Sequence, residues 1–349
     1  MSRDPVWGED DLVRRIARIF PIPGPPIEVP IGDDAAVLRV GTGGRLVVTT
    51  DQMVQGVHFR RGDRPGRLLG DKALSVNLSD LAAMGATPRW ALLSLFLPPR
   101  LRMPDLLEIL GGMARRAKRC RVSLIGGNLT ASKTLALDLT LIGSFPPGVR
   151  PLLRRGAKVG DFILVSGSLG ASAMGLRLLD SGWRWRSGSA FKRGASKKAT
   201  RAANHVLRRH LMPEPELALG SILARRRLAS AAMDLSDGLS RDLPRLCRAS
   251  GVGARVELAA LPLDPAVVTL AGKEDALRLA LHGGEDYRLL VAVRPSRLAA
   301  VEKLLPRGRL RPIGRILPGK AGIRLLDSGG KSRRLPVFGY DHLHPVRPV

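Results

Sequence analysis

Several acidic residues of this chain lie among small, apolar or hydroxyl-bearing residues rather than among other charges. They occur in five short segments: IGDDAAVL (31–38), VVTTDQ (47–52), NLSDLAAMG (77–85), MDLSDG (233–238) and HGGEDY (282–287). Buried carboxylates are costly unless they are paired, hydrogen-bonded or bound to a metal ion. Because Mg²⁺ binds through a few carboxylates together with waters and substrate phosphates, its ligands can be scattered along a sequence. The five segments therefore predict a magnesium site beside a phosphate-bearing substrate.

The spacing of these residues is consistent with such a site. Asn77 and Asp80 are three residues apart on a predicted helix and share one of its faces. Asp234 and Asp237 flank Ser236 just before a predicted helix, so carboxylates, a hydroxyl and helix N-terminal amides come together there. For any one segment, the alternative is a turn or a helix cap, for which Asp in S-D-G or G-D-D is well suited.

A P-loop kinase is disfavoured. The turn S-G-S-L-G (166–170) resembles a phosphate-binding loop but lacks G-x-G-x-x-G, and G-x-x-x-x-G-K-[ST] does not occur.

The elements that must position these residues alternate between helix and strand periodicity. The first half predicts strands over 45–51, 122–127 and 135–145 and helices over 64–85 and 104–120. The second half predicts strands over 161–167, 254–261 and 287–293 and helices over 171–179, 213–226 and 237–250. The fold class is therefore α/β in the mixed α+β sense.

Two domains are predicted within this chain. Its 349 residues exceed the roughly 250–300 at which a single core stops growing. The segment 146–151 contains three prolines and a glycine, which places the boundary between an N-terminal domain of 1–150 and a C-terminal domain of 151–349. Residues 181–210 carry nine Lys or Arg and no Asp or Glu, which predicts a solvated or disordered basic insertion outside every motif. Deletion of most of 185–203 is therefore expected to leave substrate affinity unchanged.

Composition narrows the function classes. The chain is 44% hydrophobic, 25% charged and has a net charge of +27, which attracts phosphates and nucleic acids. Specific nucleic-acid binding is disfavoured because aromatic residues make up only 4% and offer few stacking platforms. The N-terminus lacks the features of a signal peptide, and no apolar stretch reaches the ~20 residues of a membrane span. Cys120 and Cys247 form no disulfide or zinc motif, so we expect a cytoplasmic protein.

The same segments resemble the thiamine-monophosphate kinase family, which belongs to the superfamily of aminoimidazole ribonucleotide synthetase and selenophosphate synthetase. The resemblance covers nearly the whole chain, with motifs in the family's order. They are IGDDAAVL, TTDQMVQGVHF (49–59), NLSDLAAMGATP (77–88), LIGGN (124–128), RRGAKVGD (154–161), MDLSDGL, GGEDY and GYDHLH (339–344). It implies a two-domain aminoimidazole ribonucleotide synthetase-like fold. It also implies a homodimer whose N-terminal domain dimerises and binds ATP and Mg²⁺.

The resemblance implies ATP-dependent phosphorylation of thiamine monophosphate to thiamine diphosphate by Mg²⁺-assisted in-line transfer. We assign no catalytic base, because the acceptor phosphate is already ionised and charge neutralisation matters most. The implied metal ligands, for several Mg²⁺ ions, are Asp34, Thr49, Thr50, Asp51, Asp80, Asn128, Asp234 and Asp237. The implied nucleotide contacts are Gly127, Asn128, Arg154 and Ser236. The implied contacts to thiamine monophosphate are His58, Glu285 and Tyr340.

Alternatives remain for single residues. His58 also suits a packed or capping histidine, Tyr340 an anchor for the C-terminal tail, and Arg155 could take the role of Arg154. Asn128 departs from the family, which has aspartate there, so the amide offers an oxygen without a charge.

Two further functions remain open. One is a catalytically weakened or inactive nucleotide-binding paralogue, which Asn128 suggests. The other is a different ATP-dependent enzyme of the superfamily. Selenophosphate synthetase is disfavoured because it needs an N-terminal reactive cysteine or selenocysteine, and no cysteine precedes Cys120.

Overall fold

A computed structural model of the protein describes residues 9–19, 26–41, 44–60, 62–306, 308–336 and 338. The helices are α1 (Glu9–Ile19), α2 (Gly66–Ala83), α3 (Met103–Cys120), α4 (Ala171–Asp180), α5 (Lys197–Leu211), α6 (Leu217–Arg225), α7 (Leu239–Ser250), α8 (Pro265–His282) and α9 (Pro295–Leu304). The strands are β1 (Ile27–Val29), β2 (Ala36–Val40), β3 (Gly44–Val54), β4 (Thr87–Leu97), β5 (Ser123–Ala131), β6 (Ala136–Ser144), β7 (Phe162–Ser166), β8 (Arg184–Arg186), β9 (Ser189–Phe191), β10 (Ala231–Leu235), β11 (Val252–Glu257), β12 (Arg288–Val293), β13 (Leu310–Pro318), β14 (Ile323–Leu326) and β15 (Ser332–Arg334). The predicted mixture of helices and strands is confirmed.

The first sheet contains β1 to β6 in the order β1-β2-β3-β6-β4-β5. Neighbouring strands are antiparallel except β4 and β5, which are parallel and are joined through α3. Alternation in β6 sends Leu137, Leu139 and Leu141 into the core, each fully buried, and turns Asp138 to the other face. The alternating pattern of the sequence therefore indicates correctly which face of this strand is covered.

The central helix α2 packs against both halves of the chain. It contacts β3, β6 and α3 on one side and α6, β10 and β12 on the other. Close approach is possible because Gly70 and Gly112 lack side chains: a Cβ at Gly70 would lie 1.8 Å from the carbonyl oxygen of Ile109. Since α2 is buried on nearly all sides, its polar residues face other parts of the protein rather than solvent.

The second sheet has the order β10-β12-β7-β13-β11-β14-β15. β10, β12, β7 and β13 pair antiparallel, whereas β11 and β14 pair parallel. The change from the first sheet to the second occurs between β6 and β7, in the segment that contains the proline cluster. A boundary at residue 150 stays a prediction.

The expectation of a solvated or disordered insertion over 181–210 is wrong. This segment forms the β8–β9 hairpin and α5, and it buries Trp183, Trp185, Val206 and Leu207 against α4 and α8. Five of its nine basic residues lie on α5, on the face opposite the buried Val206 and Leu207 of this amphipathic helix. A charge count misses this arrangement because it ignores the helical spacing of the apolar residues.

We expect Trp185→Ala to lower the free energy of unfolding by about 3–5 kcal/mol, because it removes a large aromatic ring that is 6% exposed. Chemical denaturation monitored by circular dichroism measures the change. Lys198→Ala, on the exposed face of α5, is the matched control and should change stability by less than about 0.5 kcal/mol. Equal effects of the two substitutions would contradict the structural role of this segment.

Within the described ranges, no helix is long and apolar enough to cross a membrane.

Candidate active site

A large cleft opens between the two sheets, with a volume of about 1650 Å³. Its wall is built from the turn before β2, from β3, α2 and α5, and from the loops that follow β10 and α8. All five acidic segments of the sequence contribute to it, so the fold brings together residues that are far apart along the chain.

Three carboxylates that line this cleft lie close together. One oxygen from each of Asp34, Asp80 and Asp234 lies within 4.8 Å of the others. Neighbouring hydroxyls orient two of them: Thr49 Oγ1 donates to Asp80 Oδ2 at 2.6 Å, and Ser79 Oγ donates to Asp234 Oδ2 at 2.7 Å. The cluster is therefore held in place by side chains from β3 and α2.

Burial and mutual repulsion make these carboxylates reluctant to ionise together. Burial, reinforced by the charges of Asp51, Asp234 and Asp34, raises the pKa of Asp80 well above its usual value. Burial and the charge of Asp34 raise the pKa of Asp234 to about 7. A cation among them would relieve the repulsion.

The cluster fits a divalent cation. Asp34 Oδ2 is buried and has no hydrogen-bond partner among the described residues, so one oxygen is available for a ligand. The donor set of carboxylate and hydroxyl oxygens is the one that Mg²⁺ prefers. Asp51 and Thr50 also line the cleft beside this cluster.

Arginine side chains neutralise part of the acidic charge. Arg154 donates from Nε and Nη2 to Asp34 Oδ1 at 2.9 and 2.5 Å. Arg245 Nη1 lies 2.5 Å from Asp237 Oδ2, so the described partner of Asp237 is a guanidinium. Asp237 lines the same cleft, and its role as a metal ligand stays a prediction.

The substrate-side residues have different surroundings. Glu285 lines the cleft and contacts Lys72 Nζ at 2.9 Å and His210 Nδ1 at 3.2 Å. His58 also lines the cleft, while its Nδ1 accepts a hydrogen bond from the Val54 amide at 3.0 Å, so it both caps a turn and faces the cavity. Tyr340 lies outside the described residues.

Gly127 and Asn128 are not brought to this cleft within one chain. Both lie on β5, whose residues are all exposed, at the edge of the first sheet. Asn128 Nδ2 donates to Thr130 Oγ1 at 3.4 Å. By contrast, Arg154 and Ser236, the other two residues expected to contact the nucleotide, line the cleft.

Sequence reasoning missed several residues in and around the site. They are Asp33, Lys72, Asp138, His210 and Arg245. A lysine among the small apolar residues of α2 was a readable signal, because an unpaired charge is seldom buried. His210 was overlooked because it ends the segment 181–210, whose basic composition predicted a solvated insertion.

Comparisons with known proteins agree with this arrangement. Residues 32–145 match the family described as AIR synthase related protein, N-terminal domain, and residues 158–326 match the corresponding C-terminal domain. A thiamine-monophosphate kinase of Salmonella typhimurium is 38% identical over 324 residues, which cover 90% of this chain and 92% of the relative. A thiamine-monophosphate kinase of Escherichia coli K12 is 38% identical over 320 residues, with the same coverage.

Solved structures are similar over most of the chain. The structure described as AaThiL complexed with AMPPCP and TMP superposes with a TM-score of 0.82 and 31% identity, covering 98% of this chain and 99% of that one. The predicted two-domain fold of the aminoimidazole ribonucleotide synthetase type is thereby confirmed.

Proposed function

The chain belongs to the thiamine-monophosphate kinases of the AIR synthase-related family, which phosphorylate thiamine monophosphate to thiamine diphosphate with ATP, and we propose that the cleft between its two sheets is the site of this reaction. The observation that carries this proposal is the cluster of Asp34, Asp80 and Asp234 in a cleft large enough for two phosphate-bearing molecules. The similar structure described with AMPPCP and TMP supports the same pair of substrates.

In this proposal the acidic cluster and its neighbours hold Mg²⁺. The ligands would be Asp34, Asp51, Asp80 and Asp234, with hydroxyl oxygens of Thr49 and Thr50 beside them. When bound, Mg²⁺ supplies the positive charge that neutralises the transferred phosphoryl group.

The chain's other residues bind and orient the two substrates. Arg154 offers a planar cation to phosphate oxygens, and Ser236 offers a hydroxyl at the start of α7. His58 and Glu285 contact the thiamine part. No residue needs to remove a proton from the acceptor, because its phosphate is already ionised.

A homodimer formed through β5 is part of the proposal. Among the described residues, β5 pairs with β4 alone, and it carries the exposed apolar residues Leu124, Ile125 and Leu129. An exposed apolar edge strand is an aggregation risk unless another chain covers it. Covering β5 would also enclose Gly127 and Asn128, which supports a nucleotide site that is completed at the dimer interface.

We expect Leu129→Lys to convert the dimer to a monomer, because it places a charge on the β5 edge, where Leu129 is 70% exposed in the single chain. Sedimentation velocity at micromolar concentration measures the change. Leu107→Lys, at a residue of α3 that is 57% exposed, is the matched control and should stay dimeric. A wild-type protein that sediments as a monomer would contradict the dimer.

Product formation tests the proposed reaction. The protein is incubated with ATP and thiamine monophosphate, with Mg²⁺ and then with excess chelator, and thiamine diphosphate is separated chromatographically. We expect product only with Mg²⁺.

Asn128 favours a second candidate, a protein that binds nucleotide without turnover. That candidate predicts heat of ATP binding by calorimetry but no product.

A cytoplasmic location also stays a prediction, with which the free thiols of Cys120 and Cys247 agree.

A further inference from the structure

One end of the cleft contains buried polar atoms that nothing in the described chain satisfies. His210 Nε2 and Arg64 Nε and Nη1 are buried without a hydrogen-bond partner among the described residues. His210 is 2% exposed, and both residues line the cleft. Since buried polar groups almost always have hydrogen-bond partners, these atoms indicate a ligand that provides the missing partners.

Glu285 determines which nitrogen of His210 carries the proton. Nδ1 lies 3.2 Å from Glu285 Oε2 and 3.1 Å from Ser172 Oγ. An ionised carboxylate only accepts hydrogen bonds, so the Nδ1 proton points toward Glu285. Burial and the charge of Lys72 lower the pKa of His210 to about 4, so the ring is neutral near pH 7. Nε2 is therefore a hydrogen-bond acceptor.

Glu285 is itself held firmly. Its Oε1 lies 2.9 Å from Lys72 Nζ, which is completely buried on α2. Its amide donates to the carbonyl of Ser236 at 2.6 Å, and its backbone has φ +63°, which a non-glycine residue adopts only when its surroundings impose it. Although burial opposes it, the charge of Lys72 keeps the pKa of Glu285 below its usual value. The carboxylate therefore orients His210 from a fixed position.

The contact between α4 and α5 brings His210 to this wall. A Cβ at Gly175 of α4 would lie 2.5 Å from the carbonyl oxygen of Val206 and 2.7 Å from the Cβ of His210. Glycine at this position allows α5 to approach closely enough for His210 to reach the cavity.

We propose that His210 is a specificity-determining residue whose Nε2 accepts a hydrogen bond from an amino group on the heterocyclic part of the substrate. This inference rests on the proposed function. His210 Nε2 needs a donor, which an aromatic amino group supplies, and the unpartnered N–H groups of Arg64 in the same cleft need an acceptor, which a ring nitrogen supplies. The chemical class is therefore an aromatic amine next to a ring nitrogen. The aminopyrimidine of thiamine monophosphate has this arrangement.

The test compares thiamine monophosphate with an analogue that lacks the pyrimidine amino group. For the wild-type protein we expect the KM of the deamino analogue to be about tenfold higher than that of the parent, as for the loss of one buried hydrogen bond. In His210→Asn the amide nitrogen takes the place of Nδ1 and nothing reaches the place of Nε2, so the ratio should fall to about one. In His210→Gln the amide oxygen reaches the place of Nε2, so the preference should be partly restored.

His205→Asn is the matched control, because His205 also lies on α5 but contacts Asp264 outside this cleft. It should keep the wild-type ratio. Thermal unfolding is measured for each variant to show that it is folded. A purely structural effect would lower activity on both substrates and leave the ratio of their KM values unchanged. Lys72→Met, which releases Glu285, is the second variant and should also reduce the ratio.

The inference is overturned if the wild-type protein has the same KM for the deamino analogue and for thiamine monophosphate. It is also overturned if the KM ratio of His210→Asn equals that of the wild-type protein. If His210→Asn does not fold, the same comparison is made with Lys72→Met. Each of these results is obtained with a protein that makes thiamine diphosphate. If the wild-type protein makes no product, the proposed function fails instead, so the two failures are distinguishable.

Discussion

Replacing Asp80 with asparagine should remove nearly all turnover and yet stabilise the metal-free protein. The substitution keeps the shape of the side chain, and its amide oxygen can still accept the hydrogen bond from Thr49. It removes one of three carboxylates that lie within 4.8 Å of one another. Losing a charged metal ligand is expected to raise the activation barrier by about 4 kcal/mol, a decrease in kcat of roughly 10³-fold.

The stability effect of this substitution has the opposite sign. Without metal, burial and the charges of Asp51, Asp234 and Asp34 raise the pKa of Asp80, so folding near pH 7 must either bury its charge or bind a proton, and both cost free energy. Removing this carboxylate should raise the free energy of unfolding by about 1–3 kcal/mol in the presence of a chelator. The stabilisation that Mg²⁺ gives to the wild-type protein should be much smaller in the variant, because the ion is bound less tightly.

Thermal unfolding, with chelator and with Mg²⁺, measures the stability of the metal-free protein and the stabilisation that Mg²⁺ gives. The kinetic assay measures the change in kcat. Glu302→Gln, at an exposed residue of α9, controls for the change in net charge and should alter none of these quantities. Ordinary turnover in Asp80→Asn would show that the cluster is not the metal site.

Replacing Arg154 with methionine should instead destabilise the metal-free protein and weaken ATP binding. Asp34 has a completely buried side chain, and the guanidinium of Arg154 donates two hydrogen bonds to it. Breaking a buried pair leaves an uncompensated charge, so we expect a loss of about 3–5 kcal/mol in the free energy of unfolding. The KM for ATP should rise at least about tenfold, because a fixed cation near the phosphates is lost.

Arg155→Met is the matched control for this prediction. Arg155 is the next residue and is exposed, so the substitution removes the same charge without touching Asp34. Denaturation in chelator and the ATP dependence of turnover distinguish the two variants. Mg²⁺ should narrow the stability difference between wild type and Arg154→Met, since the ion replaces part of the lost positive charge. If Arg155→Met has the larger effect on KM, the phosphate contact belongs to Arg155.

Strong local patterns in the sequence predicted the elements well. The helix expected over 64–85 is α2 (Gly66–Ala83), and the strand expected over 161–167 is β7 (Phe162–Ser166). Short-range interactions decide such segments, because the periodicity of apolar residues fixes which face is buried. The basic segment 181–210 was mispredicted because its composition was weighed more heavily than the spacing of its tryptophans and leucines.

The sequence by itself determined the residue types of the site and the chemistry they suit. Carboxylates in small and apolar surroundings predicted a divalent cation, and their motifs indicated the family. Only the tertiary structure decided which of them meet. Asp34, Asp80 and Asp234 form one cluster, whereas Asp237 pairs with Arg245 and Asn128 lies on an edge strand.

The position of His210 beside Glu285 and Lys72 likewise depends on the fold. These residues come from α5, from the loop after α8 and from α2, and no local pattern relates them. The distance between side chains from separate segments is set by how helices and sheets pack, here by α2 between the two sheets and by α5 against α4. Local sequence specifies each element and its buried face, but the close packing of many elements at once specifies which polar groups come within hydrogen-bonding distance.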